Sequence, residues 1–511
     1  MDRKRILTAA MSGLMLSASF PPGRTAWLAW LALVPLFRAF QGQGPSTCLR
    51  LGLTAGLSHF LSLIYWVTVV LHTYGGLNPI LSAAALTALA AYLSLYIGIF
   101  GWAVYWIRDS RFAVLLIAAI WTVLEYVRAN ALTGFPWCLV GHSQFQYPWL
   151  IQAADLSGVY GLSFLIVAVN ASIFSLVFCR GKKRPPWPYL QAVGPAVLLV
   201  SALAYGQTRL LDERDEVGKG AALRTALIQG NIDQSQKWDP AFQEQTVKTY
   251  IRLTRAASRA EPDLVIWPET ALPLFFQDPS LLASEVRSAT APAGAHLLFG
   301  SPAYSRSDGA LRYYNRAYLL SRDGEVRDYY DKVHLVPFGE YVPFKRFLPF
   351  IDRLVASAGD FEPGKDVGPL QGAPYPAGVL ICFEAIFPEL ARTQAREGAR
   401  LLVNITNDAW FGKTSAPFQH LAMSVFRSVE TRLPMVRVAN TGISAFVDSK
   451  GRIVEKGPLF EKSILTREIF PGAGSPSVYT LYGDFLVFFL FIMIILKIVS
   501  LWRHRPFRLG G

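Results

Sequence analysis

Three residues of this 511-residue chain have the side chains that acyl transfer needs without a metal or a cofactor. Cys382 directly follows the apolar run 378–381. Glu269 closely follows the run 264–267, and Lys332 lies between short strand-like runs. A thiol needs a base to become a nucleophilic thiolate, and a partly desolvated carboxylate can be that base. Because a fixed ammonium can stabilise the resulting oxyanion, these residue types together predict an acyl-transfer site.

Each of the three residues also has a simpler interpretation when it is taken alone. Free cysteine is among the most buried residue types, so Cys382 could be a small core residue. Glu269 could begin a helix or close a turn, and Lys332 could be a solvated surface lysine. The catalytic interpretation therefore depends on a fold that brings the three together.

The elements around these residues are typical of an α/β domain. Strand-like runs occur at 223–228, 264–267, 296–299, 333–336, 378–381 and 401–406. Asp239 and Pro240 predict the start of a helix, and a helix-like segment follows Cys382. Short, wholly apolar runs predict buried strands, and open α/β sheets keep their chemistry at the carboxyl ends of such strands. We therefore predict an α/β sandwich with mixed sheets.

The rest of the chain is a series of apolar segments, most of them near or above the ~20 residues that cross a bilayer. They lie at about 6–20, 25–40, 50–72, 79–107, 112–129, 159–179, 188–206 and 485–502. The first is short and could be a signal peptide, but an uncleaved anchor is favoured because further spans follow at once. We predict seven spans in residues 1–206, a water-soluble domain at 207–482, and a final span with a basic tail at 483–511, which makes an eight-helix transmembrane bundle.

Charge is divided unevenly between these parts. The segment 207–482 carries 32 basic and 31 acidic residues, whereas the remainder carries 17 basic and 5 acidic residues. Nearly all of the net charge of +13 therefore belongs to the apolar part, which argues against nucleic-acid binding. When the N-terminus is placed in the cytoplasm, most basic residues of the connecting loops fall on that side, as the positive-inside rule requires. The water-soluble domain is then expected on the opposite face of the membrane.

Cysteine spacing argues against a metal site or a disulfide framework. The four cysteines, Cys48, Cys138, Cys179 and Cys382, are far apart in the sequence. Only Cys382 lies in the water-soluble segment, where a lone cysteine can be a free reactive thiol. We expect neither a metal nor another cofactor.

Three motifs resemble those of the nitrilase superfamily. In chain order they are Trp267-Pro268-Glu269, Asp331-Lys332-Val333-His334 and Cys382-Phe383-Glu384. The resemblance covers about residues 222–470 and implies an αββα sandwich. It also implies that Cys382 is the nucleophile, Glu269 the general base and Lys332 the oxyanion stabiliser.

The flanking spans narrow the resemblance to the membrane-embedded branch of that superfamily, the apolipoprotein N-acyltransferases. By this resemblance, a fatty acyl chain passes from a phospholipid, phosphatidylethanolamine, to a thioester on Cys382 in a ping-pong reaction. The acceptor is then the α-amine of the diacylglyceryl-cysteine of an apolipoprotein. The expected location is the cell inner membrane, with the catalytic domain on the periplasmic side.

Further site residues follow from the resemblance. Glu340 matches a second glutamate that supports the lysine and the acyl intermediate, although a structural salt bridge is the alternative. Glu384 and Trp238 match positions associated with the active site. Phe383 stands where the family pattern has a tyrosine, so any hydrogen bond from that hydroxyl is lost. Three further residues could face substrate, although capping and turn roles are the simpler interpretation: Asn404, Asp408 and His420.

Two insertions rich in aromatic residues and prolines, 272–276 and 342–351, follow soon after Glu269 and Glu340. We expect them to form a lid that dips into the outer leaflet and leads acyl chains to Cys382. The alternative is that they pack against the domain's own core.

Two other functions remain open on the sequence. One is a membrane-tethered amidase that hydrolyses a C–N bond with the same triad. The other is a transporter or lipid-binding scaffold with an inactive water-soluble domain. The intact triad argues against the scaffold, and the apolar insertions argue against hydrolysis of a small substrate.

Overall fold

The structure, a computed structural model, describes residues 2–178, 187–212, 221–307, 309–342, 361–472 and 475–503. The chain divides into two compact units. The first consists of Met1–Tyr65, Ala84–Gln207 and Tyr482–Gly511, and the second of Trp66–Ala83 and Thr208–Leu481. Residues 66–83 lie among the predicted spans in the sequence but group with the water-soluble segment.

The α-helices of both units can be given in chain order. They are α1 (Arg3–Ala18), α2 (Val34–Phe40), α3 (Pro45–Leu63), α4 (Val67–Val69), α5 (Pro79–Ile107), α6 (Ala113–Asn130), α7 (Pro148–Ile151), α8 (Ala154–Phe178), α9 (Trp187–Leu211), α10 (Pro240–Ala257), α11 (Leu281–Arg287), α12 (Pro388–Arg396), α13 (Ala416–Thr431), α14 (Val478–Tyr482) and α15 (Phe485–Arg503). Among the described residues, four helices are long and apolar enough to cross a membrane: α5, α6, α8 and α9.

Two of the predicted spans are interrupted. The helix α3 and the continuation Val67–Tyr74 pass the same test only as a pair, and the pair is bent by 56°. The apolar segment predicted at 50–72 therefore contains a break. At 25–40, a 3-10 helix (Ala26–Trp30) precedes α2, which has a proline in its first turn. Proline favours the start of a helix, and a new helix starts there.

Glycine permits close helix crossings in the first unit. A Cβ atom on Gly13 of α1 would overlap the carbonyl oxygen of Ala55 in α3. A Cβ atom on Gly52 of α3 would likewise overlap the carbonyl of Ile97 in α5. Small residues let helix backbones approach in a setting where lipid supplies no hydrophobic driving force between helices.

The second unit contains two β-sheets. Their strands are β1 (Leu223–Gln229), β2 (Leu264–Ile266), β3 (His296–Ser307), β4 (Ala310–Leu320), β5 (Val326–Asp331), β6 (Ala377–Ile381), β7 (Leu401–Thr406), β8 (Met435–Ala439), β9 (Ala445–Val447), β10 (Ile453–Lys456) and β11 (Ser463–Ile469). One sheet has the order β11-β1-β2-β3-β4-β5 and the other the order β10-β9-β8-β7-β6. The strands β1 to β3 are parallel to one another, as are β6 to β8, and the remaining pairs are antiparallel.

The two sheets face each other across one apolar core. Leu227 and Ile266 from the first sheet pack in the same buried cluster as Val379 and Ile405 from the second. A second cluster joins the other face of the first sheet to α10 and α11, and α12 and α13 contact the second sheet. These four layers form an αββα sandwich, and the predicted α/β fold of this segment is confirmed.

The predicted start of α10 is also confirmed. The Asp239 side chain accepts a hydrogen bond from the Ala241 N–H at 2.9 Å, and Pro240 begins the helix. An aspartate at this position supplies an acceptor that the first turn of a helix otherwise lacks.

Candidate active site

Three strand ends deliver the three candidate residues. The strand β2 ends just before Trp267-Pro268-Glu269, β5 ends directly before Lys332, and β6 ends directly before Cys382. The strands β2 and β6 belong to the two facing sheets. Glu269 and Lys332 are 3.6 Å apart, and both act electrostatically on the Cys382 thiol. The fold therefore gathers all three residues into one site.

Lys332 lies between two carboxylates and is only 1% exposed. Its Nζ is 2.9 Å from the carboxylate of Glu340 and 3.6 Å from Oε1 of Glu269. Burial alone would lower the pKa of this lysine, but the attraction of Glu340 and Glu269 outweighs it, so the pKa lies above its usual value. Lys332 is thus a fixed positive charge in the site.

Glu269 is held by one side chain and one backbone group. Its Oε1 accepts from Asn315 Nδ2 at 2.8 Å, and its Oε2 accepts from the Asn407 N–H at 2.9 Å. Asn315 Nδ2 also donates to Oε1 of Glu340 at 2.8 Å. Asn315 therefore links the two carboxylates, a role that nothing in its local sequence indicates.

Cys382 is half-buried and has a positive φ of 54°. A non-glycine residue in this region stores about 1–3 kcal/mol of strain, and such residues cluster at active sites. Burial, together with the negative charge of Glu269, raises the pKa of the thiol to about 12, while Lys332 acts in the opposite sense. The resting thiol is therefore protonated at neutral pH and needs a base.

Glu384 is fully buried and accepts four hydrogen bonds. Its Oε1 accepts from the Tyr330 hydroxyl at 3.0 Å and from the N–H groups of Val333 and His334 at 2.7 and 3.0 Å. Its Oε2 accepts from the Ile381 N–H at 2.7 Å. Burial raises the pKa of this carboxyl to about 7, although these donors favour the carboxylate. Glu384 thus fixes the residue before the candidate nucleophile.

The predicted strand at 333–336 is wrong, and the carboxylates explain why. The N–H groups of Val333 and His334 donate to Glu384, and the N–H of Val336 donates to Glu340 at 2.8 Å. Three backbone donors of this segment therefore serve the site, and no strand is assigned there.

Phe383 and Trp238 lie in different surroundings. The Phe383 ring contacts that of Phe387 edge to face at 5.2 Å and lies 6.1 Å from the His334 ring. Trp238 is 49% exposed and lines a cavity of about 720 Å³. The cavity is mostly apolar, and its lining includes Pro273, Leu274, Phe275, Tyr313 and Phe361.

The insertion 272–276 does not form the expected lid. Leu272 and Phe276 are buried in the core between the first sheet and its helices, while Leu274 and Phe275 are half-buried and line the cavity. This insertion therefore packs against its own domain, which is the alternative interpretation. In the second insertion, residues 343–351 lie outside the described residues.

Lys237 is a second buried lysine near the candidate triad. It is 3% exposed, and its Nζ donates to the backbone carbonyl of Glu269 at 3.1 Å. Burial lowers its pKa to about 8, and the charges of Glu269 and Cys382 oppose that shift. The sequence pattern places Lys237 beside Trp238 but indicates no role for it. Within the described ranges, no group of three or more His, Cys, Asp or Glu side chains is placed to hold a metal ion.

Comparison with known proteins identifies relatives of both units. A family described as the apolipoprotein N-acyltransferase N-terminal domain matches residues 12–172, and the carbon-nitrogen hydrolase family matches residues 224–473. An apolipoprotein N-acyltransferase of Geobacter metallireducens is 46% identical over 488 residues, which cover 94% of this chain and 92% of that protein.

Two further similarities can be given. An apolipoprotein N-acyltransferase of Methylococcus capsulatus is 36% identical over 491 residues, covering 94% of this chain and 93% of that protein. The crystal structure of Nit3 from Saccharomyces cerevisiae, a member of branch 10 of the nitrilase superfamily, is 19% identical with a TM-score of 0.39. That similarity covers 49% of this chain and 90% of Nit3.

Proposed function

Because this chain belongs to the apolipoprotein N-acyltransferase family, we propose that Cys382, Glu269 and Lys332 are the catalytic triad of its acyl transfer. The observation that carries this proposal is the buried ammonium of Lys332. It lies 3.6 Å from the carboxylate of Glu269, and both charges act on the Cys382 thiol. A base, a nucleophile and a fixed cation are thus present together.

In the first half-reaction, Glu269 accepts the thiol proton as Cys382 Sγ attacks an ester carbonyl of a phospholipid. The C–S bond forms and the carbonyl oxygen becomes an oxyanion, which the Lys332 ammonium stabilises. The ester C–O bond then breaks, and Glu269 returns the proton to the departing oxygen. The products are a lyso-phospholipid and a thioester on Cys382.

In the second half-reaction, the α-amine of the diacylglyceryl-cysteine of an apolipoprotein attacks the thioester. An α-amine has a pKa of about 8, so a substantial neutral fraction is present near that pH. Glu269 accepts a proton from the attacking nitrogen, the C–N bond forms and the C–S bond breaks. The proton returns to sulfur, which restores the resting thiol and completes a ping-pong cycle.

The supporting residues have distinct parts in this proposal. Glu340 holds the Lys332 ammonium, and Glu384 fixes the Ile381 N–H beside the nucleophile. Phe383 supplies an apolar wall, and Trp238 borders the cavity and contacts substrate. Phosphatidylethanolamine is the proposed acyl donor.

We place the enzyme in the cell inner membrane with its catalytic domain on the periplasmic side. The proposed domains are 1–206, with seven crossings, 207–482, which is catalytic, and 483–511, with the eighth crossing. The four long apolar helices and the cytoplasmic bias of basic residues support this arrangement. The helix α1, the two shorter apolar helices and the bent segment would supply the other four crossings.

The test is formation of an acyl adduct. Purified enzyme mixed with phosphatidylethanolamine and no acceptor should gain the mass of one acyl chain, and Cys382→Ala should gain none. Intact-protein mass spectrometry measures both. No adduct on the wild type, or the same adduct on Cys382→Ala, would refute the thioester. Family membership favours this acyltransferase over the amidase.

A further inference from the structure

A buried histidine contacts the backbone of the candidate nucleophile. His420, in α13, is 1% exposed, and its Nε2 lies 3.1 Å from the carbonyl oxygen of Cys382. A carbonyl oxygen can only accept, so this ring nitrogen carries the proton. The other nitrogen, Nδ1, lies 3.0 Å from Oδ1 of Asp408. The imidazole therefore lies between the Cys382 backbone and a fully buried carboxylate.

Arg437 holds the far side of this pair. Its guanidinium donates to Oδ2 of Asp408 at 2.7 Å and lies 3.1 Å from Nδ1 of His420. It also donates to Asn404, whose Nδ2 donates to the Leu380 carbonyl at 2.8 Å. Leu380, Asn404 and Arg437 are paired in register across β6, β7 and β8. The network is thus built into the sheet that ends at Cys382.

The same carboxylate also acts on the thiol. The Thr406 hydroxyl donates to Oδ1 of Asp408 at 3.0 Å, and the Asp408 charge acts electrostatically on Cys382. Asp408 therefore lies near both the thiol and the histidine that contacts the Cys382 carbonyl.

The buried guanidinium of Arg437 keeps Asp408 ionised. Burial would raise the pKa of Asp408, but Arg437 and His420 outweigh it and lower the pKa to about 2. The carboxylate is therefore ionised at physiological pH. Burial and Arg437 lower the pKa of His420, which Asp408 opposes, so the neutral ring is favoured. In that form Nε2–H donates to the Cys382 carbonyl and Nδ1 accepts from Arg437.

We propose that His420, held by Asp408 and Arg437, is a positioning residue for Cys382. It anchors the carbonyl of a residue whose positive φ would otherwise favour relaxation, as Glu384 anchors the N–H of Ile381 on the other side. The direction of the thiol then follows from a backbone fixed at both ends. This inference rests on the proposed role of Cys382 as nucleophile.

The experiment compares two substitutions of one side chain. His420→Gln keeps an N–H donor near the position of Nε2, and His420→Leu removes the donor at a similar volume. The matched control is His296→Leu, a half-buried histidine at the first residue of β3. Each variant is assayed for the rate of Cys382 alkylation by iodoacetamide, read by peptide mass spectrometry, and for the rate of Cys382 acylation by phosphatidylethanolamine.

We expect His420→Leu to lose about tenfold to hundredfold in both rates, as for one buried hydrogen bond left unmade. His420→Gln should stay within about threefold of the wild type, because the donor is restored. The control should be unchanged. Rescue by glutamine separates positioning from loss of the imidazole ring, because the glutamine variant lacks the ring as well.

Wild-type alkylation rates in His420→Leu, or equal losses in the leucine and glutamine variants, would overturn the proposal. If the leucine variant does not fold, His420→Asn replaces it, since its amide is too short to reach the carbonyl and should lose the rate that glutamine keeps. An absence of acylation in the wild type would refute the proposed function instead, and the alkylation rates would still decide the role of His420.

Discussion

Two buried lysines of the site differ in their hydrogen-bond partners. Lys332 lies against the carboxylates of Glu340 and Glu269, whereas Lys237 donates to a backbone carbonyl. A carbonyl dipole compensates a buried ammonium less than a carboxylate does. Lys332 therefore keeps its charge, and Lys237 has a pKa of about 8. The charge near the thiol thus changes within a pH range that assays reach easily.

This difference predicts the pH dependence of the acylation step. Below about pH 8 the Lys237 ammonium favours negative charge on Cys382, and that charge is lost as the pH rises through this value. The acylation rate without acceptor should therefore fall by about threefold to tenfold across that range. Lys237→Gln should be slower at low pH and lack this limb. The control is Lys248→Gln, an exposed lysine of α10. A limb near pH 8 that persists in Lys237→Gln would contradict the assignment.

The pairing of Lys332 with Glu340 gives a second prediction. Glu340→Gln leaves a buried ammonium with one carboxylate fewer, which is costly because the charge cannot be solvated. We expect acylation about tenfold to hundredfold slower and a lower thermal unfolding temperature in detergent. Glu325→Gln, at an exposed position before β5, is the matched control. Unchanged acylation in Glu340→Gln would exclude a supporting role.

Strand ends were the predictable part of the site because they depend on local sequence. A short apolar run followed by a polar residue indicates a buried strand and its carboxyl end. Glu269 and Cys382 could therefore be placed without a structure. Asn315 could not, because its role depends on the position of β4 between β3 and β5 in the sheet, where its side chain meets both glutamates. The sequence predicts His420 only as a capping or substrate-facing residue, because its contact with the Cys382 carbonyl depends on tertiary packing.

The local sequence pattern gives a wrong prediction where side chains outside a run accept hydrogen bonds from its backbone. The run 333–336 looks like a strand, yet its N–H groups donate to Glu384 and Glu340.

The apolar segment 50–72 is long enough to span a membrane, yet it bends, and residues 66–83 group with the catalytic unit. Trp66 there donates to Gln419 of α13 at 3.2 Å. Hydropathy records the length of a segment but not its tertiary partners.

The packing of β3 against the segment that carries Glu269 gives a third prediction. A Cβ atom on Gly300 would lie 2.8 Å from Cα and 3.0 Å from the carbonyl carbon of Glu269, and closer still to the Thr270 nitrogen. These are backbone atoms, so Gly300→Ala must displace the carboxylate. We expect acylation about tenfold slower and a loss of about 1–3 kcal/mol in unfolding free energy. Gly194→Ala, in α9 with no atom within 4 Å of the added Cβ, is the control. Wild-type acylation in Gly300→Ala would show that the carboxylate tolerates this shift.

At the scale of the whole molecule, composition separates an apolar part from a near-neutral, water-soluble part. The excess of basic over acidic residues lies almost entirely in the apolar part, where the basic residues fall mainly on the side assigned to the cytoplasm. The proposed orientation rests on that bias, because basic loops resist translocation. In this orientation the catalytic unit would meet its lipid donor and lipid-linked acceptor on the periplasmic side.

Cysteine labelling tests this orientation. In a background with the four native cysteines replaced by serine, Lys248→Cys places a thiol on an exposed position of α10, and Asp109→Cys places one between α5 and α6. A membrane-impermeant maleimide should label the first thiol in intact, outer-membrane-permeable cells. It should label the second only after the inner membrane is disrupted. Both side chains are more than half exposed, so access to water is matched. The reverse pattern would place the catalytic unit in the cytoplasm. It would contradict both the predicted topology and an acceptor exposed at the periplasmic face.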